Sequence, residues 1–202
     1  MYLWILIHSI PFHGPPATTD TTGILALCML DIDRFKDLNE QWGQPLADQF
    51  LRVFAQRLRA DAGPDNLIGR IGGDEFAILL HSLNSNPQSA SHTARIVANK
   101  VQQALNIPVV IDDNEVRVTV SMGLTLFPDA SDDSADEVIK RADNALHKAK
   151  NKGGNQALFF ESEMGIAAEQ YFQIERNLVL SDPHLLEFWQ LHVLVLLKAH
   201  YL

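Results

Sequence analysis

Asn66-Leu67-Ile68-Gly69-Arg70-Ile71-Gly72-Gly73-Asp74-Glu75-Phe76-Ala77-Ile78-Leu79-Leu80 consists of two apolar runs, 66–71 and 75–80, joined through Gly72-Gly73-Asp74. That junction has the composition of a tight hairpin, because glycine accepts the positive φ that a short turn demands. The turn also carries adjacent acids, Asp74 and Glu75, beyond the sheet. A bare hairpin needs one or two turn residues and no acid pair, so the bend has the chemistry of a site as well as the geometry of a fold.

Upstream, Ile24-Leu25-Ala26-Leu27-Cys28-Met29-Leu30 is a continuous apolar run, the pattern of a strand buried on both faces. Between it and the hairpin, Pro45 suits the first turn of a helix, and Leu46, Phe50, Val53, Phe54 and Leu58 recur along one face. Downstream, Asn86-Pro87 signals a second helix that Ile96, Val97, Val101 and Leu105 continue. Val116, Val118 and Val120 alternate with Arg117, Thr119 and Ser121, which predicts a strand with one buried face. Ser134-x-x-Glu137 is a capping box ahead of Val138, Ala142, Ala145 and Leu146, so a helix is expected to run to Lys150. Ala157–Phe160 is a short final strand. The order is that of a split βαββαβ, ferredoxin-like central sheet with covering helices, an α/β (α+β) fold.

With 202 residues, 47% apolar and 20% charged, the chain has room for one well-filled core plus extensions. Sixteen Lys and Arg stand against 25 Asp and Glu, a net charge of -9. No general basic field exists to hold a nucleic-acid backbone, so nucleic acid is not an expected partner. A nucleotide is compatible with that charge, because a divalent metal held by carboxylates reverses the local field where phosphates sit. The single cysteine, Cys28, excludes an internal disulfide and sits in an apolar run, where packing is its expected role. Met1–Ile7 is too short for a membrane span and lacks a basic lead-in, and Leu185–Leu202 is interrupted by Glu187, His192, Lys198 and His200, so neither end is expected to cross a membrane.

Asp31-Ile32-Asp33 ends the first strand, and strand ends of open sheets face the crevice where ligands bind. A hard cation such as Mg²⁺ takes oxygen ligands and commonly only one or two carboxylates, which Asp31 and Asp74 can supply. Taken alone, the pair has a plainer reading in which Asp33 caps a helix beginning near Arg34 and Asp31 is solvated. Asp74 and Glu75 weigh against it, since like charges facing an acidic strand end call for a cation between them.

Gly72-Gly73-Asp74-Glu75-Phe76 together with Asp31-Ile32-Asp33-Arg34-Phe35-Lys36-x-x-Asn39 resembles the GGDEF domains. Asp48, Arg70-x-Gly72, Ser121-x-Gly123 and Arg141-Ala142-Asp143-x-Ala145-Leu146 with Ala149-Lys150 extend the resemblance over residues 24–160. It implies a nucleotide-cyclase-like sheet and a diguanylate cyclase, which condenses two GTP into cyclic di-GMP with release of pyrophosphate. Two protomers facing each other across a twofold axis each present one GTP, so a homodimer is implied. By position, Asp31, Asp74 and the Ile32 carbonyl would bind Mg²⁺ or Mn²⁺, and Glu75 would assist deprotonation of the attacking hydroxyl. Asn39 and Asp48 would read guanine, while Gly72, Gly73, the Phe35 and Lys36 amides and Lys150 would hold the rest of the nucleotide. Singly, Asn39 and Asp48 also read as exposed helix residues and Lys150 as a favourable charge at a helix C-terminus.

Four departures from the family pattern stand out. The stretch before Asp48 reads Gly43-Gln44-Pro45-Leu46-Ala47 in place of the family's glycine-histidine-x-x-glycine, and Gly154 replaces an arginine that follows the lysine by four residues. Losing one charged partner costs about 1.5–3 kcal/mol, so GTP binding is expected to weaken without being abolished. Gly63-Pro64-Asp65-Asn66 stands where an arginine-x-x-aspartate product site is usual, so feedback through that site is not expected. Met1–Gly23 has no counterpart of the family's leading helix, which implies a missing packing layer. The expected division is an atypical extension over 1–23, a GGDEF domain over 24–161, and a helical connector and tail over 162–202 with helices at 167–180 and after Pro183. The connector resembles one that leads to EAL phosphodiesterase domains. A cytoplasmic location follows from a GTP substrate, and the alternative function is a catalytically degenerate, GTP-binding regulatory module.

Overall fold

The computed structural model describes residues 23–81, 83, 85–128 and 133–161, so all but Gly23 of the expected extension over 1–23, and the helices expected after 162, lie outside the described residues. Strand β1, Leu25–Ile32, is the middle of a five-stranded sheet. It pairs antiparallel with β3, Glu75–Leu80, on one side and with β6, Val120–Phe127, on the other. Strand β2, Leu67–Gly72, adds to β3 as the other arm of the hairpin, and β7, Ala157–Phe159, lies parallel to β6 at the far edge. The order β2-β3-β1-β6-β7 is the expected split βαββαβ arrangement with one strand added.

Side-chain alternation explains why β1, β3 and β6 contain hardly a polar residue. Ala26, Cys28, Leu30 and Ile32 of β1 and Phe76, Ile78 and Leu80 of β3 face one core. That core is completed by helix α2, Gln44–Ala62, through Phe50, Phe54 and Leu58, and by α3, Pro87–Leu105, through Ala94, Ala98 and Val101. Leu27, Met29, Ala77 and Leu79 face the opposite way, against Val138, Ala142 and Leu146 of α4, Ala135–Asn151. A sheet covered on both faces has no solvent side, so its strands are runs rather than alternations.

Local signals place the helix starts. Asn86 Oδ1 accepts from the Ser89 amide at 3.1 Å and Ser134 Oγ from the Glu137 amide at 3.2 Å, so both expected caps form. Helix α1, Phe35–Trp42, is separated from α2 by Gly43, whose φ of 79° turns the chain before Gln44 opens the next helix with Pro45 in its first turn. Arg95 of α3 donates to the Ala157 carbonyl at 2.5 Å and lies 4.8 Å over the Phe159 ring, holding the edge strand β7 against the helix.

The expected strand over Val116–Ser121 is not one strand. Val116 ends a short hairpin of β4, Val109–Ile111, and β5, Asn114–Val116, which turns through Asp112 and Asp113 at φ 47° and 65°. Val120 opens β6, and residues 117–119 belong to neither. The three valines still share a buried side, since Val116 and Val120 lie in the core and Val118 packs on it. Their period reflects common burial, while the backbone between them bends to meet the end of β1. Among the described residues no helix is long and apolar enough to cross a membrane.

At Gly123 the backbone of α4 lies directly against the sheet. A Cβ built there would lie 2.2 Å from the Ala142 carbonyl oxygen and 2.2 Å from the Leu146 amide nitrogen, both backbone atoms that cannot rotate away. Gly123→Ala is therefore expected to lower stability by about 3 kcal/mol through forced separation of α4 from β6, measured by urea unfolding. Cys28 is 1% exposed and burial pushes its thiol up to about 12. A thiol reagent at neutral pH is expected to label it only after denaturation.

Candidate active site

The register of the sheet sets Asp31 opposite Glu75 on β3 and opposite Ser121 on β6. Directly opposite residues on neighbouring strands point to the same face, which here is the face that α4 covers. Asp74 and Glu75 are half-buried at the hairpin end. The bend that carries them is braced by Arg70, whose Nε and Nη2 donate to the Gly73 carbonyl at 2.8 and 2.6 Å. A bulge between Arg70 and Gly72 completes the turn, and Gly73 adopts φ 50°. A Cβ at Gly72 or Gly73 would meet nothing within 4 Å, so the bend presents open backbone. Phe76, the last residue of the motif, packs on Phe54 at 5.0 Å and fixes the base of the hairpin to α2.

Asp31 is 6% exposed, and burial raises its carboxyl above the ordinary carboxylate range. Its hydrogen bond with Lys150, Nζ to Oδ2 at 2.5 Å, draws it back down, and the charges of Asp74 and Glu75 raise it again. Two neighbouring acids and the Lys150 ammonium thus bear on Asp31 at the end of the sheet. Among the described residues no three or more His, Cys, Asp or Glu side chains converge as a metal cage. The donors that this end of the sheet gathers are carboxylates, those of Asp31, Asp74 and Glu75. A magnesium ion that keeps water and phosphate in its remaining positions fits such a set.

Asp33 does not cap α1: the N-cap position belongs to Arg34, which makes no side-chain cap bond. The Asp33 carboxylate instead accepts from Thr119 Oγ1 and Ser121 Oγ, each at 2.6 Å, and from the Asn155 amide at 2.9 Å. Gly154 lies beside it at φ 72°, where a Cβ would come within 3.1 Å of the carboxylate. Asp33 was legible as an acid at a strand end, but its donors come from residues 86 to 122 positions away. Arg141, part of the family-like stretch in α4, is likewise structural: it is buried against buried Asp133.

The other candidate residues lie around α1 and α2. The amides of Phe35 and Lys36 precede the first bonds of α1, which run from Asp37 and Leu38 to the Arg34 carbonyl. Phe35 packs on Phe50 at 6.5 Å, whereas the Lys36 side chain extends outward to Glu40. Asn39 Oδ1 is buried and has no hydrogen-bond partner among the described residues. An acceptor left in that condition is suited to a ligand donor. Asp48 accepts from Gln44 Nε2 at 3.1 Å and lines a cleft of about 610 Å³ with Leu51, Ile68, Arg70 and Phe76. Asp31 and Lys150 open on a different cleft, of about 1080 Å³, whose walls include Asp37, Gln41 and Trp42 but neither Asn39 nor Asp48. The structure therefore brings together Asp31, Asp74, Glu75 and Lys150, while Asp48 lines the other cleft and Asn39 lines neither.

The family model described as "Diguanylate cyclase, GGDEF domain" matches residues 17–156. The chain is 31% identical over 154 residues to the Cyclic di-GMP phosphodiesterase NbdA of Pseudomonas aeruginosa, a match covering 76% of this chain and 19% of that protein. It is 33% identical over 153 residues to the Bifunctional diguanylate cyclase/cyclic di-GMP phosphodiesterase MucR of the same organism, covering 76% and 21%. The matched region is thus about a fifth of the length of these relatives. The crystal structure of an EAL/GGDEF domain protein from M. capsulatus superposes with a TM-score of 0.63 at 31% identity, covering 72% of this chain and 90% of that one. Hairpin, acid cluster, strand order and these likenesses agree, and the chain belongs to the GGDEF domain family, the diguanylate cyclase-like domains.

Proposed function

We propose that the chain is a diguanylate cyclase that acts as a homodimer in the cytoplasm, each protomer presenting one GTP to the other. The observation that carries this reading is the intact bend at Gly72–Phe76, which sets Asp74 and Glu75 beside the buried Asp31. In the reaction the 3′-hydroxyl oxygen of one GTP bonds to the α-phosphorus of the other, the bond to the β-phosphate breaks, and pyrophosphate leaves. Repeated in the opposite sense, the step closes the cyclic dinucleotide. Glu75 takes the hydroxyl proton as the new bond forms. Asp31 and Asp74, with the Ile32 carbonyl, hold Mg²⁺, which supplies charge neutralisation on the phosphates.

The remaining residues bind and orient. Asn39 offers its buried acceptor to guanine N–H groups, and Asp48 adds two further acceptors for the same edge. The amides of Phe35 and Lys36 and the open backbone of Gly72 and Gly73 suit phosphate oxygens. Lys150 adds a positive charge once phosphate is present. A second reading, a GTP-binding regulatory module without turnover, is favoured by Gly154, where the family's arginine would reach phosphate. The domain division 1–23, 24–161 and 162–202 is proposed on the same basis.

Incubation of the purified chain with GTP and Mg²⁺ is expected to yield cyclic di-GMP, detected by chromatography, and product is expected to vanish in Asp74→Ala and Glu75→Ala. Bound GTP with no product at high protein concentration would instead establish the regulatory module, and failure to bind GTP would sink both readings. Gly154→Arg is expected to lower the GTP Kd roughly tenfold by restoring a charged contact. It is also expected to cost about 1 kcal/mol of stability, because a residue with a Cβ takes up the left-handed φ beside Asp33.

A further inference from the structure

Lys150 stands at the C-terminal end of α4, and its ammonium is directed to one oxygen of Asp31, the acid that the cyclase reading gives to the metal. The Asp31 side chain is 8% exposed, so it is poorly served by water and depends on a nearby positive charge. The Lys150 side chain is 39% exposed, so its head can leave Asp31 for solvent or phosphate without crossing the core. Asp33, on the same side, is already engaged by Thr119, Ser121 and Asn155. The same Asn155 bond ties down the turn that follows α4, which keeps the lysine within reach of Asp31.

We propose that Lys150 is a resident counter-cation that competes with the divalent metal for Asp31, so that metal binds well only when nucleotide phosphate draws the lysine away. The inference rests on the proposed metal role of Asp31. A metal ion bonds to a carboxylate oxygen at about 2.0–2.1 Å, and the ammonium already lies 2.5 Å from one of the two oxygens of that small carboxylate. Two cations so close repel strongly in a buried setting, and one must yield. Phosphate supplies an acceptor for the displaced ammonium, so nucleotide and metal each raise the other's affinity through one moving side chain. Lys150 thereby sets the order of assembly and discourages the site from holding free metal.

The test is Mn²⁺ binding to the full chain without nucleotide, followed by calorimetry and by the paramagnetic resonance of free Mn²⁺. Lys150→Met is expected to tighten nucleotide-free Mn²⁺ binding roughly tenfold, while Lys150→Arg, which keeps the cation, stays near the parent value. With a non-hydrolysable GTP analogue present, the nucleotide-dependent gain in Mn²⁺ affinity is expected to be smaller in Lys150→Met than in the parent. Equal Mn²⁺ affinity in the parent and Lys150→Met, with binding lost in Asp31→Asn, overturns the competition and leaves the metal site standing. Binding unaffected by Asp31→Asn overturns the metal site itself, and the competition with it. Circular dichroism of each variant excludes loss of fold as the cause.

Discussion

The Asp33 carboxylate accepts hydrogen bonds from the hydroxyls of Thr119 and Ser121 and from the backbone amide of Asn155, while the Asp33 amide donates to the Thr119 carbonyl at 2.9 Å. These bonds join the end of β1 to the start of β6 and to the turn between α4 and β7. Each of those elements carries or positions a charged group of the candidate site. Asp31 lies two residues before Asp33 on β1, and Lys150 lies just before the turn that Asn155 closes. A charge-assisted hydrogen bond is among the stronger polar contacts available, and three on one carboxylate leave it little freedom. Gly154 belongs to this arrangement, since its missing side chain lets the turn approach the carboxylate.

Around that latch the chain concentrates like charge. The charges of Asp74 and Glu75 raise the cost of ionising Asp31, and among the described residues Lys150 supplies the opposing charge. The expense is met by the apolar layers on both sides of the sheet. Phe50, Phe54 and Phe76 form a ring ladder beneath the hairpin, with centroids 5.9 and 5.0 Å apart, and α4 lies with its backbone on Gly123. Rigid packing of this kind allows a repulsive cluster to persist at the surface of a domain whose net stability is only several kcal/mol.

The departures from the family pattern acquire different weights in the structure. Gly154 is a turn residue beside Asp33, so it bears on local geometry as well as on the loss of an arginine's charge. The altered stretch before Asp48 forms the Gly43 bend and the first turn of α2, and Gln44 uses its side chain on Asp48 itself. Asp48 is thus held by its own helix and not by the hairpin. Where a ligand is to be read by both Asn39 and Asp48, it has to span α1 and α2, whose relative direction Gly43 sets.

The apolar runs 24–30 and 75–80, the glycine bend between the hairpin strands, the caps at Asn86 and Ser134 and the acids at 31 and 74 were all legible in the chain, because each depends on neighbours within a few positions. The β4–β5 hairpin and the break at residues 117–119 were not, since Val116, Val118 and Val120 keep a strand's period for reasons of shared burial. Nor did composition show that Asp33 is a latch, that Arg141 is buried against Asp133, or that Lys150 sits on Asp31. By itself the sequence determined which residues form strands, which turn, and which acids gather at one sheet end, since local sterics and apolar spacing dictate these. Only the tertiary structure decided which charge neutralises which, because such pairings join residues far apart in the chain, and only packing brings them within hydrogen-bonding reach.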